Sequence, residues 1–115
     1  MKNLQEKLSK YFGVELKKRR IDGHPKTFDL VSDDGSIVGD AKYLTMIRGK
    51  RKSPAKFMEI SGHVWMLEKI NARRKFLVFG NDIRVPKGWL KRYGKFLKGI
   101  EFFFIDSEGN VIKLR

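Results

Sequence analysis

The amino-acid sequence predicts an α/β domain with a mixed central sheet flanked by helices. Two observations carry this prediction: apolar residues recur at helical spacing in some segments and in strand-like patterns in others, and the two kinds alternate along the chain. The predicted order is helix, three strands, helix, strand, helix and two strands. The strand–helix–strand order at 75–105 argues for a mixed sheet. With 115 residues the chain suffices for one compact domain, which we place at 1–115.

The first half is predicted to form a helix followed by three strands. Residues 2–12 carry one apolar stripe at helical spacing, formed by Leu4, Leu8, Tyr11 and Phe12. Gly13 ends this helix, and a strand-like segment at 14–20 becomes strongly basic before the turn IDGHP. The segments KTFDLV and SIVGDAKYLTMI are rich in β-forming residues and flank SDDGS, which together predict a β-hairpin.

The second half is predicted to alternate helices with buried strands. After the basic loop RGKRKSPAK, Ser53 is a good helix cap and Pro54 suits the first turn of a helix that extends to about 71. Its apolar stripe consists of Phe57, Ile60, Val64, Leu67 and Ile70. KFLVFG at 75–80 is typical of a buried strand, and Pro86 opens a third helix through KGWLKRYGKFL. IEFFFI and NVIKL flank DSEGN and are predicted to form a closing pair of strands.

The net charge is the most informative bulk property. The chain has 26 Lys and Arg residues against 13 Asp and Glu, a formal charge of +13, which favours a polyanionic partner and most often nucleic acid. A ribosomal-type structural role, an acidic membrane surface and solubility alone are the alternatives. No apolar run is long enough to span a membrane. The absence of cysteine excludes a disulfide framework or a thiolate metal site and fits a cytoplasmic protein.

The predicted hairpin brings two aspartates together. With the turn centred on Asp34–Gly35, Asp29 lies opposite Asp40, and directly opposed residues have Cβ atoms about 4.5–5.5 Å apart on the same face. Lys42 lies two residues beyond Asp40 and shares that face, so we expect the three side chains to converge. A turn of three residues would shift the register by one and send the carboxylates to opposite faces.

Opposed like charges destabilise a sheet, so the two carboxylates need a compensating cation. Lys42 is one candidate, in an ordinary cross-strand ion pair on a solvent face. A divalent ion is the other, because two carboxylates and a backbone carbonyl are oxygen ligands that suit Mg²⁺ or Mn²⁺. The strands are apolar on both faces, which favours a special role for acids beside the core.

These residues resemble the signature of the PD-(D/E)xK nuclease superfamily. Asp29 matches its first acidic residue, and Asp40-Ala41-Lys42 matches the acid-x-Lys triplet on the next strand. The chain departs from the pattern in having Phe28 before the first acid, and Asp rather than Glu at the start of the triplet. The resemblance implies a restriction-endonuclease-like αβββαβ core over residues 1–80. In length and basicity the chain is most similar to small archaeal-type Holliday-junction resolvases, which implies a homodimer acting on DNA that is double-stranded or branched.

The resemblance also implies roles for individual residues in a Mg²⁺-dependent endodeoxyribonuclease. Asp29, Asp40 and Lys42 are the catalytic set, and the ligands of Mg²⁺ or Mn²⁺ are Asp29, Asp40, the Ala41 carbonyl and Glu6 of the first helix. Lys42 would orient the attacking water or stabilise the pentavalent phosphorane. By helical geometry Glu6 lies opposite the apolar stripe of its helix. His24 and His63, the two histidines, are left outside the site.

Two basic segments adjoin the predicted site along the chain and are the candidate DNA contacts. Their residues are Lys17, Lys18, Arg19, Arg20, Arg48, Lys50, Arg51 and Lys52. Contacts of this kind neutralise phosphates, so binding should weaken steeply with salt. For RRK at 73–75 we expect a solvated face rather than a contact. The sequence contains no zinc-finger or helix-turn-helix motif, so recognition of the nucleic-acid backbone is more natural than base readout.

Two other functions remain compatible with the sequence. One is a nucleic-acid-binding module whose nuclease-like site is degenerate and inactive. The other is a small basic protein associated with RNA or the ribosome, in which the hairpin acids only pair with Lys42.

Overall fold

A computed structural model describes residues 4–44 and 54–115 of the chain. Its helices are α1 (Leu4–Phe12), α2 (Pro54–Glu68) and α3 (Arg84–Tyr93), the last followed by a 3₁₀ turn at Gly94–Phe96. Its strands are β1 (Leu16–Arg20), β2 (Thr27–Ser32), β3 (Ile37–Leu44), β4 (Arg74–Asn81), β5 (Ile100–Ile105) and β6 (Val111–Lys113). No helix in these two segments has the length and apolar content needed to cross a bilayer.

The six strands form one mixed sheet in the order β1-β2-β3-β4-β5-β6. β3 pairs with β4, and β4 with β5, in parallel, whereas the other neighbours are antiparallel. Each parallel pair is joined through a helix, α2 or α3, because parallel strands need a crossover connection. The predicted α/β class and mixed sheet are therefore confirmed.

Helices cover both faces of the sheet. One cluster of buried side chains joins α1 to one face and includes Leu4, Leu8, Leu16, Leu30, Phe76, Val78 and Phe103. A second cluster joins α2 and α3 to the other face and includes Phe57, Ile60, Leu67, Trp89, Leu77, Phe79 and Phe102. Consecutive residues of β4 alternate between the two clusters, as expected for a strand buried on both sides.

The observed helix bounds differ modestly from the predicted ones. α2 ends at Glu68 rather than near residue 71, and α3 begins at Arg84, two residues before Pro86. The end of the third predicted helix is the 3₁₀ turn, in which Leu97 donates its N–H to the Gly94 carbonyl. Ser53 and the basic segment at 48–52 lie outside the described residues.

Candidate active site between β2 and β3

The register of the β2–β3 hairpin is the predicted one. Val31 pairs with Val38 and Leu30 with Gly39, so the next position places Asp29 beside Asp40. The turn is built by Asp34, whose Oδ1 accepts hydrogen bonds from the Ser36 N–H (3.0 Å) and from the hydroxyls of Ser36 and Ser32. These bonds, led by the one from the Ser36 N–H, lower the pKa of Asp34 to about 2. The ionised side chain thus fixes the turn on which the register depends.

β2 contains a bulge next to Asp29, with one extra residue relative to β1. Between the pairs Lys17–Val31 and Arg19–Phe28, β1 advances by two residues and β2 by three. The additional residue falls at 29–30, so that Phe28 and Val31 both pack into the cluster beneath α2. Bulges of this kind redirect a side chain and are frequent next to active sites.

The two aspartates replace strand pairing with side-chain hydrogen bonds. The backbone pairing of β2 with β3 extends to Leu30 and Gly39. Beyond it, the Asp29 N–H donates to Oδ1 of Asp40 at 3.0 Å, and the Ala41 N–H donates to Oδ2 of Asp29 at 3.1 Å. Each carboxylate thus accepts a backbone N–H from the facing strand, and the pair occupies the opening between the strands.

Asp40 is buried and contacts a lysine and a histidine. Its side chain is 1% exposed, and its Oδ2 lies 2.8 Å from Nζ of Lys26 and 3.1 Å from Nδ1 of His63 on α2. Burial opposes ionisation, but hydrogen bonds from His63, Lys26 and the β2 backbone outweigh it and hold the pKa of Asp40 well below its usual value. The ammonium of Lys26 also lies 5.3 Å from the centre of the Phe28 ring. Asp40 is therefore a carboxylate anion at neutral pH.

The pKa of Asp29 is shifted in the opposite direction, above its usual value. Burial is the main factor that raises its pKa, followed by its hydrogen bond to the Asp40 side chain. The negative charge of Asp40 adds to this effect, and the N–H of Ala41 and the charge of Lys26 reduce it. Burial and the neighbouring carboxylate thus both disfavour ionisation of Asp29.

Lys42 shares the Asp40 face but has a different partner. Its Nζ lies 3.2 Å from Oε2 of Glu59, with the two side chains 21% and 44% exposed. Glu59 and His63 are one helical turn apart on α2. Glu59 therefore contacts Lys42, and His63 contacts Asp40. The structure thus brings Asp29 and Asp40 together, whereas the ammonium of Lys42 is directed to α2.

The structure does not bring Glu6 to the aspartate pair. Glu6 is exposed on α1, and α1 packs on the sheet face opposite to α2. It borders a separate cavity with Gln5, Ser9 and Glu15. The prediction identified the solvent side of the helix correctly, but the sheet lies between that helix and the Asp40 side chain.

The donor chemistry of the pair suits a hard cation, although the described residues hold only part of a ligand set. In segments 4–44 and 54–115 no three His, Cys, Asp or Glu side chains are grouped as metal ligands. The carboxylates of Asp29 and Asp40 are adjacent oxygen donors, and the Lys26 ammonium already contacts Asp40 as a cation. A divalent ion held by both aspartates would take over the position of Lys26.

The predicted DNA contacts on β1 are partly engaged within the chain. Arg19 pairs with Asp33 at 2.6 Å, Lys17 with Glu15 at 3.5 Å, and Nε of Arg20 donates to the His24 carbonyl at 3.1 Å. Lys18 is exposed, without an ion pair to any described residue. The other four predicted contacts, Arg48, Lys50, Arg51 and Lys52, lie outside the described residues.

Sequence reasoning missed Lys26, Glu59 and His63. The signal for His63 was its place beside the apolar stripe of α2, three residues after Ile60 and four before Leu67, where a side chain borders the sheet. Lys26 and Glu59 carried no such signal, because the packing of the turn and of α2 on the sheet decides their positions.

Comparison of the chain with protein-family models, with curated proteins and with solved structures finds no match.

Proposed function

We propose that the protein is a metal-dependent nuclease that hydrolyses phosphodiester bonds in DNA, with Asp29 and Asp40 as its metal-binding pair. The observation that carries the proposal is the adjacency of these two carboxylates in the opening between β2 and β3. A preference for branched DNA and a homodimeric assembly belong to the proposal as well.

Three further features support it. The first six elements follow the αβββαβ order of a restriction-endonuclease-like core, with the acid-x-Lys triplet on the third strand. Lys42 lies on the same strand face as Asp40, two residues further along β3. The charge of +13 suits a polyanionic substrate.

In this proposal the chain binds and orients both the ion and the phosphate. Asp29, Asp40 and the Ala41 carbonyl would hold Mg²⁺ or Mn²⁺, and His63 fixes the orientation of the Asp40 carboxylate. A divalent ion, when bound, supplies Lewis acidity toward the phosphate and eases deprotonation of the attacking water. Lys26, displaced from Asp40, and Lys42, drawn from Glu59, would place positive charge beside the phosphoryl oxygens.

The test is cleavage of supercoiled plasmid and of a four-way DNA junction, with Mg²⁺, with Mn²⁺ and with a chelator. Asp29→Asn should abolish cleavage, since it removes one anionic ligand and keeps the side-chain shape. Lys42→Ala should reduce cleavage about 100-fold or more, whereas Glu59→Gln, which removes only the partner of Lys42, should preserve it. Metal-independent cleavage, or cleavage by folded Asp29→Asn at the wild-type rate, would contradict the mechanism.

A second function is favoured by the contacts of Asp40. Because Lys26 and His63 already occupy its Oδ2, the site can be read as a closed ionic cluster in a nucleic-acid-binding module that does not cleave. Salt-sensitive DNA binding without cleavage on any of the substrates, with either ion, would support this function over the first.

A further inference from the structure

A basic cavity lies away from the aspartate pair, where β4 and β5 begin. It has a volume of about 380 Å³, and its charged lining residues are Arg73, Arg74, Lys75, Glu101, Lys113 and Arg115. In the parallel ladder Arg74 is level with Ile37 and Asp40 with Leu77, so the cavity lies three residues, about 10 Å, further along the sheet. Since β5 is also two strands from β3, the separation from Asp40 is roughly 15 Å.

One carboxylate holds two of these cations in place. Glu101 accepts a forked pair of hydrogen bonds from Arg74, Nε to Oε1 at 3.0 Å and Nη2 to Oε2 at 2.8 Å, and a third from Lys113 at 3.0 Å. The Arg74 guanidinium also lies 4.6 Å from the centre of the Phe12 ring. Burial opposes ionisation of Glu101, but the bonds from Arg74 and Lys113 outweigh it and lower its pKa. The cations are thus ordered before any ligand binds.

The cavity retains a surplus of positive charge. Five cationic side chains face one acidic side chain, Glu101, and neither Arg73 nor Arg115 forms an ion pair within the described part of the chain. Arg74 uses two of its five N–H donors on Glu101, which leaves others for a second acceptor. Guanidinium groups match phosphate oxygens in geometry and charge, so the arrangement suits phosphate.

We propose that this cavity binds the phosphodiester backbone of nucleic acid, at a contact separate from Asp29 and Asp40. The inference extends the proposed function, since it names where the substrate of the aspartate pair is held. The cations come from segments at 73–75 and 113–115, joined only by the pairing of β4, β5 and β6. The expectation of a solvated face at 73–75 is replaced by that of a contact.

The test is binding of a fluorescent DNA duplex in the presence of a chelator, so that neither metal nor cleavage is involved. Arg73→Ala/Arg115→Ala should weaken binding about tenfold or more and lower the slope of log affinity against log salt by about 2. The matched control is Lys10→Ala/Lys87→Ala, which removes the same charge from exposed positions on α1 and α3. The control should change affinity by less than about threefold.

The remaining outcomes are decisive as well. Equal loss in both double variants would show that total charge alone governs binding and would overturn the proposal, as would no loss in either. If the first variant fails to fold, Arg73→Glu alone should produce the same loss. If inorganic phosphate binds tightly at the cavity and the variants do not change DNA binding, the cavity is a site for a small anion instead.

The two proposals can fail separately. Loss of binding in the cavity variants while the wild-type protein cleaves no DNA would uphold the cavity and remove the nuclease. Cleavage that depends on Asp29, together with unchanged DNA binding by the cavity variants, would uphold the nuclease and overturn the cavity proposal.

Discussion

Two carboxylates, buried Asp40 and half-buried Glu101, each contact two basic side chains but differ in the charge around them. Asp40 contacts Lys26 and His63, and Glu101 contacts Arg74 and Lys113. In both cases burial disfavours the charged form, and hydrogen bonds outweigh burial and lower the pKa. By these contacts alone the two sites would be assigned the same structural role.

The two sites differ in the charged side chains that remain without an ion-pair partner. Beside Asp40, Asp29 adds a second carboxylate that forms no ion pair with any described residue. Beside Glu101, Arg73 and Arg115 add cations without a carboxylate partner among the described residues. One site therefore favours a divalent cation and the other a phosphate. The residual charge, rather than the ion pairs, indicates the ligand.

The largest expected effect is on stability at Asp40. Asp40→Ala should lower the free energy of unfolding by about 3 kcal/mol, because it leaves Lys26 and His63 without their acceptor beside the core. Urea denaturation measures this loss. Asp33→Ala, which breaks the exposed pair with Arg19, is the control and should cost about 0.5 kcal/mol. Similar losses in the two variants would mean that burial of Asp40 contributes little.

Removing the charge of Glu101 should lower the stability less than Asp40→Ala does and should increase the affinity for DNA. Glu101→Gln should destabilise the fold by about 1 kcal/mol, since Arg74 and Lys113 are 40% and 52% exposed and can be solvated. DNA should bind about threefold more tightly, because the one acidic side chain that lines the cavity has lost its charge. Weaker binding, measured by the same duplex titration, would show that Glu101 acts chiefly by positioning the arginine.

Removing Asp29 should stabilise the protein. Asp29→Asn should raise the free energy of unfolding by about 0.5 kcal/mol near neutral pH, because it removes a like charge next to Asp40. The amide oxygen can still accept the Ala41 N–H. A decrease measured by urea denaturation would contradict the electrostatic account of the pair and show that the charge of Asp29 is compensated in the fold.

The smallest expected effect is a pH dependence of the stability, caused by Asp29. Because the folded state raises the pKa of Asp29 above 3.8, its contribution to stability is complete below that value and is lost as the pH rises through the folded-state pKa. The stability gain of Asp29→Asn over wild type should therefore be absent below about pH 4 and grow as the pH rises above it. Thermal unfolding of both proteins on either side of this pH measures it, and a constant difference would rule it out.

The hairpin register could be predicted from sequence because local residues decide it. Asp34 and Gly35 form the turn, with Gly35 at φ 72°, a conformation that favours glycine. Val31 and Val38 then bury their side chains only in the observed register. Local chemistry and burial agree, so the juxtaposition of the two aspartates follows.

The partners of these aspartates could not be predicted in the same way. His63 lies 23 residues from Asp40 along the chain, and its position depends on how α2 packs over β3. The residue added to β2 at 29–30 is likewise visible only in the pairing with β1. The basic cavity requires the order of β4, β5 and β6, which periodicity does not specify.

The most direct test of the account is calorimetric titration of the metal-free protein with Mn²⁺, in parallel with Asp29→Asn. We expect one ion bound per chain by the wild-type protein and none at this site in the variant, with the variant folded and at least as stable. Equal binding by both proteins, or no binding by either, would contradict the claim that Asp29 and Asp40 form a cation site.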